Sequence, residues 1–467
     1  MKPMKPERFR LYTLGGDRPV GLRGDVREVW EAETGDHAVV LAVDGHGSTV
    51  LLHMARDEAG RFSPAAELRT FASLGAARVA AALALRGRRP LAIEVSFQGM
   101  DLFTRVAPQA ALNPYFRRLE LIPHSQPARR VLAELGPWMR SADPHFVREF
   151  QTQGFDQRLW EIYLWACFRE TGFDVDQLEH SDFLLKERGK PRFSVEATTA
   201  TASREGVLAD HPDPWTIEEM AAFLRDYMPM KFGGPITAKL NKRFDGQGYW
   251  ALPYAAGLPF VIAIADFHVA ASGVEPGSMV YSQSALPIYL YGTEYGAEHD
   301  AKGELQIGYR KRLVHQFKTK KIESGFFDLP EAENVSAILF SNAGTISKFT
   351  RMGVLAGFGC PEFTYIRTGF MVDPDPNAKH GQPFGVNITD PCYQEGWGDE
   401  LQVFHNPRAR LPLDPELLPA AAHHHWEDGM IVSYFQELSV LTSLTHNIRA
   451  TDDPSAGAEA LRKLLEA

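Results

Sequence analysis

Cysteine is scarce in this chain. Cys167, Cys360 and Cys392 are the only three, odd in number and far apart, which argues against a disulfide framework and fits a reducing compartment. None sits in a CxxC pair, so a zinc ribbon is not expected. Long apolar runs are also missing. No uncharged stretch approaches the roughly 20 residues a membrane helix needs, and the longest candidates, Leu258–Ala265 and Val79–Leu85, suit buried strands or helices. Met1–Arg10 is basic and polar with no apolar core, so a secretory signal is not expected. Positive charge is not in excess: the net charge of −10 weighs against a protein that coats duplexes without specificity, while leaving room for a local basic groove. GxSxG, HExxH, the P-loop GxxxxGK[ST], and a GxGxxG opening a helix after a strand are all absent. There is no repeat of solenoid period and no low-complexity segment. These absences point to a cytoplasmic protein without a membrane partner.

What is present suffices for a large core. The 467 residues are 44% hydrophobic and 23% charged, and at roughly 150 residues per domain the length suggests two or three domains. The expected division is an accessory mixed α+β domain at 1–110, an α/β core at 111–290, and a C-terminal α/β extension at 291–467. In the first, Ala38–Val43 and Ser48–His53 read as strands around Asp44–Gly47, Glu67–Leu85 as a helix and Leu91–Phe97 as a strand. In the second, Pro127–Leu135 reads as a helix stopped by Gly136-Pro137. Phe155–Glu170 reads as a buried helix, apolar nearly all round and stopped at Gly172. The strands Asp182–Glu187 and Arg192–Thr198 flank the turn Arg188–Pro191. Helices follow at Ile217–Tyr227, with Thr216 as N-cap, and at Ile236–Arg243. Phe260–Ala265 reads as a strand buried on both faces. Further on, Ser336–Phe340 reads as a strand, Met371–Pro412 as mostly loop and Met430–Leu444 as a helix.

Three carboxylates stand out against this pattern. Glu161 is the one acid within the apolar stretch Leu159–Phe168, and an ionised carboxylate on a buried helix costs several kcal/mol unless it is compensated. Asp182 opens one strand and Glu196 lies late in the next. Across a hairpin the start of one strand faces the end of its neighbour, so these two acids are expected to meet at one end of the sheet. Converging carboxylates suit Mg²⁺ (or Mn²⁺), which takes oxygen ligands in octahedral geometry. Read singly, each acid also has a plain structural account: Asp182 as a strand-edge residue, Glu196 as a hydrogen-bonding residue, and Glu161 as the partner of a buried Arg158 or Arg169.

Taken together, "FDQRLWEIYL" with Glu161, "HSDFLL" with Asp182 and "FSVEAT" with Glu196 resemble the PD-(D/E)XK nuclease superfamily, over about 120 residues. That pattern runs helix with Glu, strand with Asp, strand with Glu-x-Lys, then helix. The resemblance implies a restriction-endonuclease-like core, a central mixed β-sheet flanked by helices. It implies Mg²⁺ (or Mn²⁺) ligation by Glu161, Asp182 and Glu196, and hydrolysis of DNA more than RNA phosphodiesters, in restriction or phage defence. The sequence departs from the family at Thr198, which stands where the motif Lys belongs and cannot supply its charge. In this superfamily the Lys can migrate to the following helix, and Lys239 and Lys242 in "ITAKLNKRF" are the candidates.

Other groups complete the inventory. Arg310, Lys311, Arg312, Lys318, Lys320 and Lys321, interleaved with Tyr309 and Phe317, form a basic stretch suited either to solvent or to phosphates. Ser341–Thr345 with Lys348 and Arg351 offers a polar turn or an anion site. His423-His424-His425 diverge on any regular element. The reading favoured is a Mg²⁺-dependent DNA nuclease acting as a homodimer or with a partner protein. Its rivals are a degenerate nuclease fold that only binds nucleic acid or partners, and a different hydrolase built on His268, near Asp266, or on His315.

Overall fold

A computed structural model describes residues 1–16, 25–65, 68–178, 180–210, 216–268, 284–375, 377–435 and 439–449. The chain forms two compact units, residues 1–153 with 348–363, and residues 154–347 with 364–467. The segment 111–153, expected within the α/β core, belongs to the first unit. No helix among the described residues is long and apolar enough to cross a membrane.

The first unit holds an antiparallel sheet of β1 (Lys2–Pro3), β2 (Asp25–Glu31), β3 (His37–Val43), β4 (Thr49–Arg56) and β5 (Phe62–Pro64), with β6 (Arg69–Phe71) also on β4. Its helices are α1 (Pro6–Thr13), α2 (Leu74–Arg86), α3 (Pro114–Leu121), α4 (Gln126–Leu135), α5 (Phe146–Gln151) and, later in the chain, most of the helix Ile346–Leu355. The expected β3–β4 hairpin forms, its turn held by Asp44 Oδ1 accepting from the amides of His46 and Ser48. The helix expected at Glu67–Leu85 begins only at Leu74, where Ser73 caps it; Glu67 lies outside the described residues. Leu91–Phe97 is not a strand. Its carbonyls are bound instead by the buried Arg61, which donates to Phe97 O at 2.8 Å and Val95 O at 3.4 Å while its Nε holds Asp57 at 2.6 Å. Leu91 is left 86% exposed.

The second unit is built on an eight-stranded mixed sheet. Helix α6 (Phe155–Thr171) precedes β7 (Asp174–Leu178), β8 (Ser181–Glu187) and β9 (Lys190–Thr201), an antiparallel meander. Helices α7 (Ile217–Ala222) and α8 (Met228–Leu240) then lead, past the small hairpin β10 (Arg243–Phe244) and β11 (Gln247–Gly248), to β12 (Phe260–Phe267), which pairs parallel to β9. Helix α9 (Ala285–Tyr291) and the hairpins β13 (Thr293–His299) with β14 (Leu305–Lys311) and β15 (Val314–Phe317) with β16 (Lys320–Glu323) follow. The main sheet continues through β17 (Ala337–Ser341), while β18 (Phe363–Met371) and β19 (Gln382–Asn387) form a smaller sheet. β20 (Gln402–His405), β21 (Ala422–Glu427) and β22 (Met430–Tyr434) complete the main sheet, and β23 (Val440–Arg449) joins β18. The order across the main sheet is β22-β21-β20-β17-β12-β9-β8-β7. Every residue of β12 is buried, as its apolar run implies for a strand covered on both faces.

The sequence explains these elements locally. Gly172 ends α6 in the left-handed region at φ 102°, with the Phe173 amide returning to Phe168 O at 3.0 Å. Thr216 and Glu219 form a capping box on α7. Arg188 and Gly189, at φ 50° and 75°, make the two-residue turn between β8 and β9 in the conformation that matches strand twist. The helix expected at Met430–Leu444 is instead β22 and the start of β23, with 436–438 outside the described residues. Ile431 and Val432 on one strand, and Val440, Thr442 and Thr445 on the other, are β-branched, and pairing with β21 and β18 settles an apolar run of ambiguous period.

Gly344, in the loop after β17, has no room for a side chain: a Cβ there would lie 2.7 Å from Trp160 on α6. Gly344→Ala is expected to cost about 1–3 kcal/mol by overpacking, measured as a lower denaturation midpoint at constant m value. A midpoint equal to wild type would show that Trp160 moves aside freely.

Candidate acidic site

Asp182 and Glu196 meet because of a β-bulge. Glu187 pairs with Lys190 and Lys186 with Pro191, but Leu185 pairs with Phe193, so β9 carries an extra residue at Arg192. Beyond the bulge Phe183 pairs with Val195, which sets Asp182 and Glu196 side by side at the next position. Strand alternation puts Phe183, Phe193 and Val195 on the face packed by Phe168 of α6. Asp182 and Glu196 therefore take the other face, where α8 lies against Ala200, Ile262 and Ile264.

Lys239 of α8 reaches both acids. Its Nζ lies 3.1 Å from Asp182 Oδ2 and 2.8 Å from Glu196 Oε2. Lys242 sits just past the end of α8, its Nζ 3.5 Å from Glu196 Oε2 and 4.5 Å from the centre of the Tyr249 ring. Asp182 Oδ2 also accepts the Ala197 amide at 2.7 Å. Glu196 is 1% exposed, and its Oε1 is buried with no hydrogen-bond partner.

Glu161 approaches the same strands from α6, on the opposite face. Gln157 Nε2 donates to its Oε1 at 2.8 Å and Arg158 to its Oε2 at 2.8 Å. Arg158 is thus the cation that partly compensates Glu161. Gln157 goes further: its Nε2 also lies 3.3 Å from Ala197 O, and its Oε1 accepts from Thr199 at 3.3 Å. It thus ties the helix acid to the strand that carries Glu196. Sequence reasoning passed over Gln157, although its place one turn before Glu161 puts the two on one helix face.

The electrostatics show Glu161 and Glu196 incompletely compensated by cations. Burial, then Asp182, pushes the Glu161 carboxyl up to about 7, against the pull of Arg158 and Gln157. Burial and then Asp182 also raise Glu196, partly offset by Lys239 and Lys242. For Lys239 burial alone would favour the neutral amine, but Asp182 and Glu196 outweigh it and hold the ammonium above its usual range. Among the described residues no group of three or more His, Cys, Asp or Glu side chains is gathered closely enough to hold a metal ion as it stands. Asp182 and Glu196 are gathered around the Lys239 ammonium, and Glu161 is held apart from it by Arg158.

Comparison with protein-family models, curated proteins and solved structures finds no match.

The remaining candidates are placed elsewhere. In the basic stretch, Arg310 and Arg312 both pair with Glu294, Arg312 also with Asp226, and Lys318 with Asp210. Lys311, Lys320 and Lys321 are exposed. Tyr309 packs edge-on to Trp426 and Phe317 edge-on to Tyr227. His315 is fully buried, with Nδ1 2.7 Å from Arg225 O and Nε2 2.8 Å from Ser324 Oγ. His268 is buried against Asp266. His423 meets His405 at 2.9 Å, inside the sheet. The Ser341 hydroxyl is held by the Ala343 amide at 3.0 Å, an internal turn.

Because the folded-state value of Glu161 lies above its ordinary 4.5, the folded protein holds this proton more tightly than the unfolded chain. The stabilisation is complete below pH 4.5 and is lost as pH rises toward 7, on the order of 3 kcal/mol. Asp156, pushed up to about 6 by burial, adds a slope of the same sign. Buried histidines held below their usual range, His53, His405 and His424 among them, contribute the opposite slope. The difference between two proteins isolates Glu161: in urea denaturation, Glu161→Gln is expected to gain stability relative to wild type as pH rises from 4.5 to 7. A constant difference would assign the effect to other groups.

Proposed function

We propose that the second unit is a metal-dependent nuclease of PD-(D/E)XK type that hydrolyses DNA phosphodiesters. The observation that carries this reading is Lys239. Thr198 occupies the motif position without a charge, and an ammonium from the next helix stands between Asp182 and Glu196 in its place. The chain order supports it too: a helix with Glu161, an antiparallel meander with Asp182 and Glu196, a helical crossover with Lys239, and a strand parallel to the last of the meander.

The residues fit Mg²⁺ or Mn²⁺. Asp182 and Glu196 are hard oxygen donors, and the partnerless Glu196 Oε1 is a buried anionic atom for which the protein provides no donor. Bound there, the ion would polarise a phosphoryl oxygen and make a nearby water more acidic. Asp182 and Glu196 would hold it. The Ala197 amide fixes the Asp182 carboxylate, and Gln157 and Arg158 fix Glu161 behind the strands. Lys239, freed from one carboxylate when a cation arrives, would orient water or meet the negative charge that develops on phosphate. Lys242, 44% exposed, would contact substrate. Lys311, Lys320 and Lys321 would add salt-dependent phosphate contacts.

A second reading rests on the same ammonium. Lys239 already neutralises charge on both acids, so the unit would serve without a metal, as a degenerate nuclease fold that binds nucleic acid or a partner.

Incubation with supercoiled plasmid and with single-stranded DNA, in Mg²⁺ or Mn²⁺, separates the two readings. Cleavage that EDTA abolishes and that falls at least about 100-fold in Glu196→Ala and Lys239→Ala is the expected result. Retained DNA binding without cleavage under either metal would leave the second reading. Cleavage that survives both EDTA and Glu196→Ala would point to a different hydrolase.

A further inference from the structure

The other half of the main sheet carries a cavity of about 670 Å³, inside the span of roughly 300–1,000 Å³ usual for small-molecule sites. Four strand spacings separate β9 from β21, roughly 19 Å at the usual strand separation, so this cavity is distinct from the acidic site. Its lining comes from α9, the β13–β14 hairpin, β18, β20 to β22, the start of β23, and the segments 379–381 and 399–401.

Two features of the lining point to a ligand. The first is apolar surface the chain itself leaves uncovered. Tyr295, Ile307, Phe370 and Phe435 all line the cavity and keep 42%, 48%, 39% and 40% of their surface accessible. Large apolar side chains scattered singly over a surface need no account, but four converging on one concavity do. Burial, then Tyr309, raises the Tyr295 hydroxyl above its usual range.

The second is His424. It is 8% exposed and stacks on Phe404 with ring centres 4.5 Å apart. Its Nδ1 lies 2.8 Å from Ser433 Oγ, and its Nε2 is buried with no hydrogen-bond partner. Burial, then His423 and His425, pushes its pKa down to about 4, so the ring is neutral near pH 7. A neutral imidazole nitrogen without a partner offers one directed hydrogen bond in an apolar setting.

Charge narrows the class. The lining carries Asp399 and Glu400 against Lys379 and the histidines His380 and His424, and Glu400 is already taken by Arg367. A phosphate or carboxylate ligand would meet no surplus of cations. Aromatic walls favour a flat π-system, which stacks or meets ring edges.

We infer that this cavity binds a neutral planar heterocycle of nucleobase or nucleoside size, with its faces on the aromatic lining and its polar edge meeting His424.

Calorimetric titration of the full chain in EDTA with adenosine, guanosine, cytidine and thymidine tests this without engaging the acidic site. Saturable binding of at least one nucleoside is expected. Ile307→Trp, which fills the cavity from an exposed hairpin position, and Phe370→Ala, which removes a wall, should each weaken it at least tenfold while leaving the circular dichroism spectrum unchanged. Absence of saturable binding for all four, or binding that both variants leave intact, would overturn the proposal. Tighter binding of a 5′-monophosphate than of its nucleoside would overturn the assignment of a neutral ligand.

Discussion

The ammonium of Lys239, held between Asp182 and Glu196, is the contact on which the arrangement of the second unit turns. A carboxylate as buried as Glu196 costs several kcal/mol in lost hydration unless a partner returns it. The partner comes from a different element, so the pair demands that α8 lie over the α6–β9 layer at one height and in one rotation. It also demands that β8 and β9 pair in one register, since a slip of a single residue would carry Glu196 to the other face. The apolar cluster beneath α8, with Phe232, Ile236, Ile262 and Ile264, supplies the energy that holds this placement. The ion pair makes the placement specific.

Much of this was legible in the sequence. The hairpin showed in its Arg-Gly turn, α6 in its apolar surface, and β12 in its continuous apolar run. A displaced lysine was foreseeable from Thr198 together with two lysines on the next helical segment. Other parts were closed to one-dimensional reasoning. The bulge at Arg192 shows only once the pairs on either side of it are counted. The tie made by Gln157 depends on a carbonyl of β9, which no side-chain pattern encodes. The strand Met430–Tyr434 read as helix because a short apolar run fits both periods, and its neighbour β21 made the choice. Leu91–Phe97 has strand-like composition, but a buried arginine took the backbone groups that a strand would have needed.

Charge was the least legible property of all. The basic stretch Arg310–Lys321 reads as a cationic face, yet Glu294, Asp226 and Asp210 answer three of its cations. Carboxylates remote in sequence convert an apparent binding surface into the fastening of two hairpins. The acidic cluster behaves in the opposite way: burial pushes Glu161 and Glu196 toward their protonated forms, so its acids carry less charge than their number suggests.

The bulge on β9 has a further bearing on how this hairpin tolerates change. Side chains alternate with a period of two, and Glu196 faces Asp182 because the extra residue at Arg192 shifts the pairing by one. An insertion or loss of one residue within β9 between the bulge and Glu196 would hand Val195 or Ala197 to Lys239 and turn Glu196 toward α6. A residue added at the Arg188-Gly189 tip only lengthens the loop and leaves the same pairs facing. Length variation between these acids is therefore confined to the tip, unless a second bulge compensates within the strand.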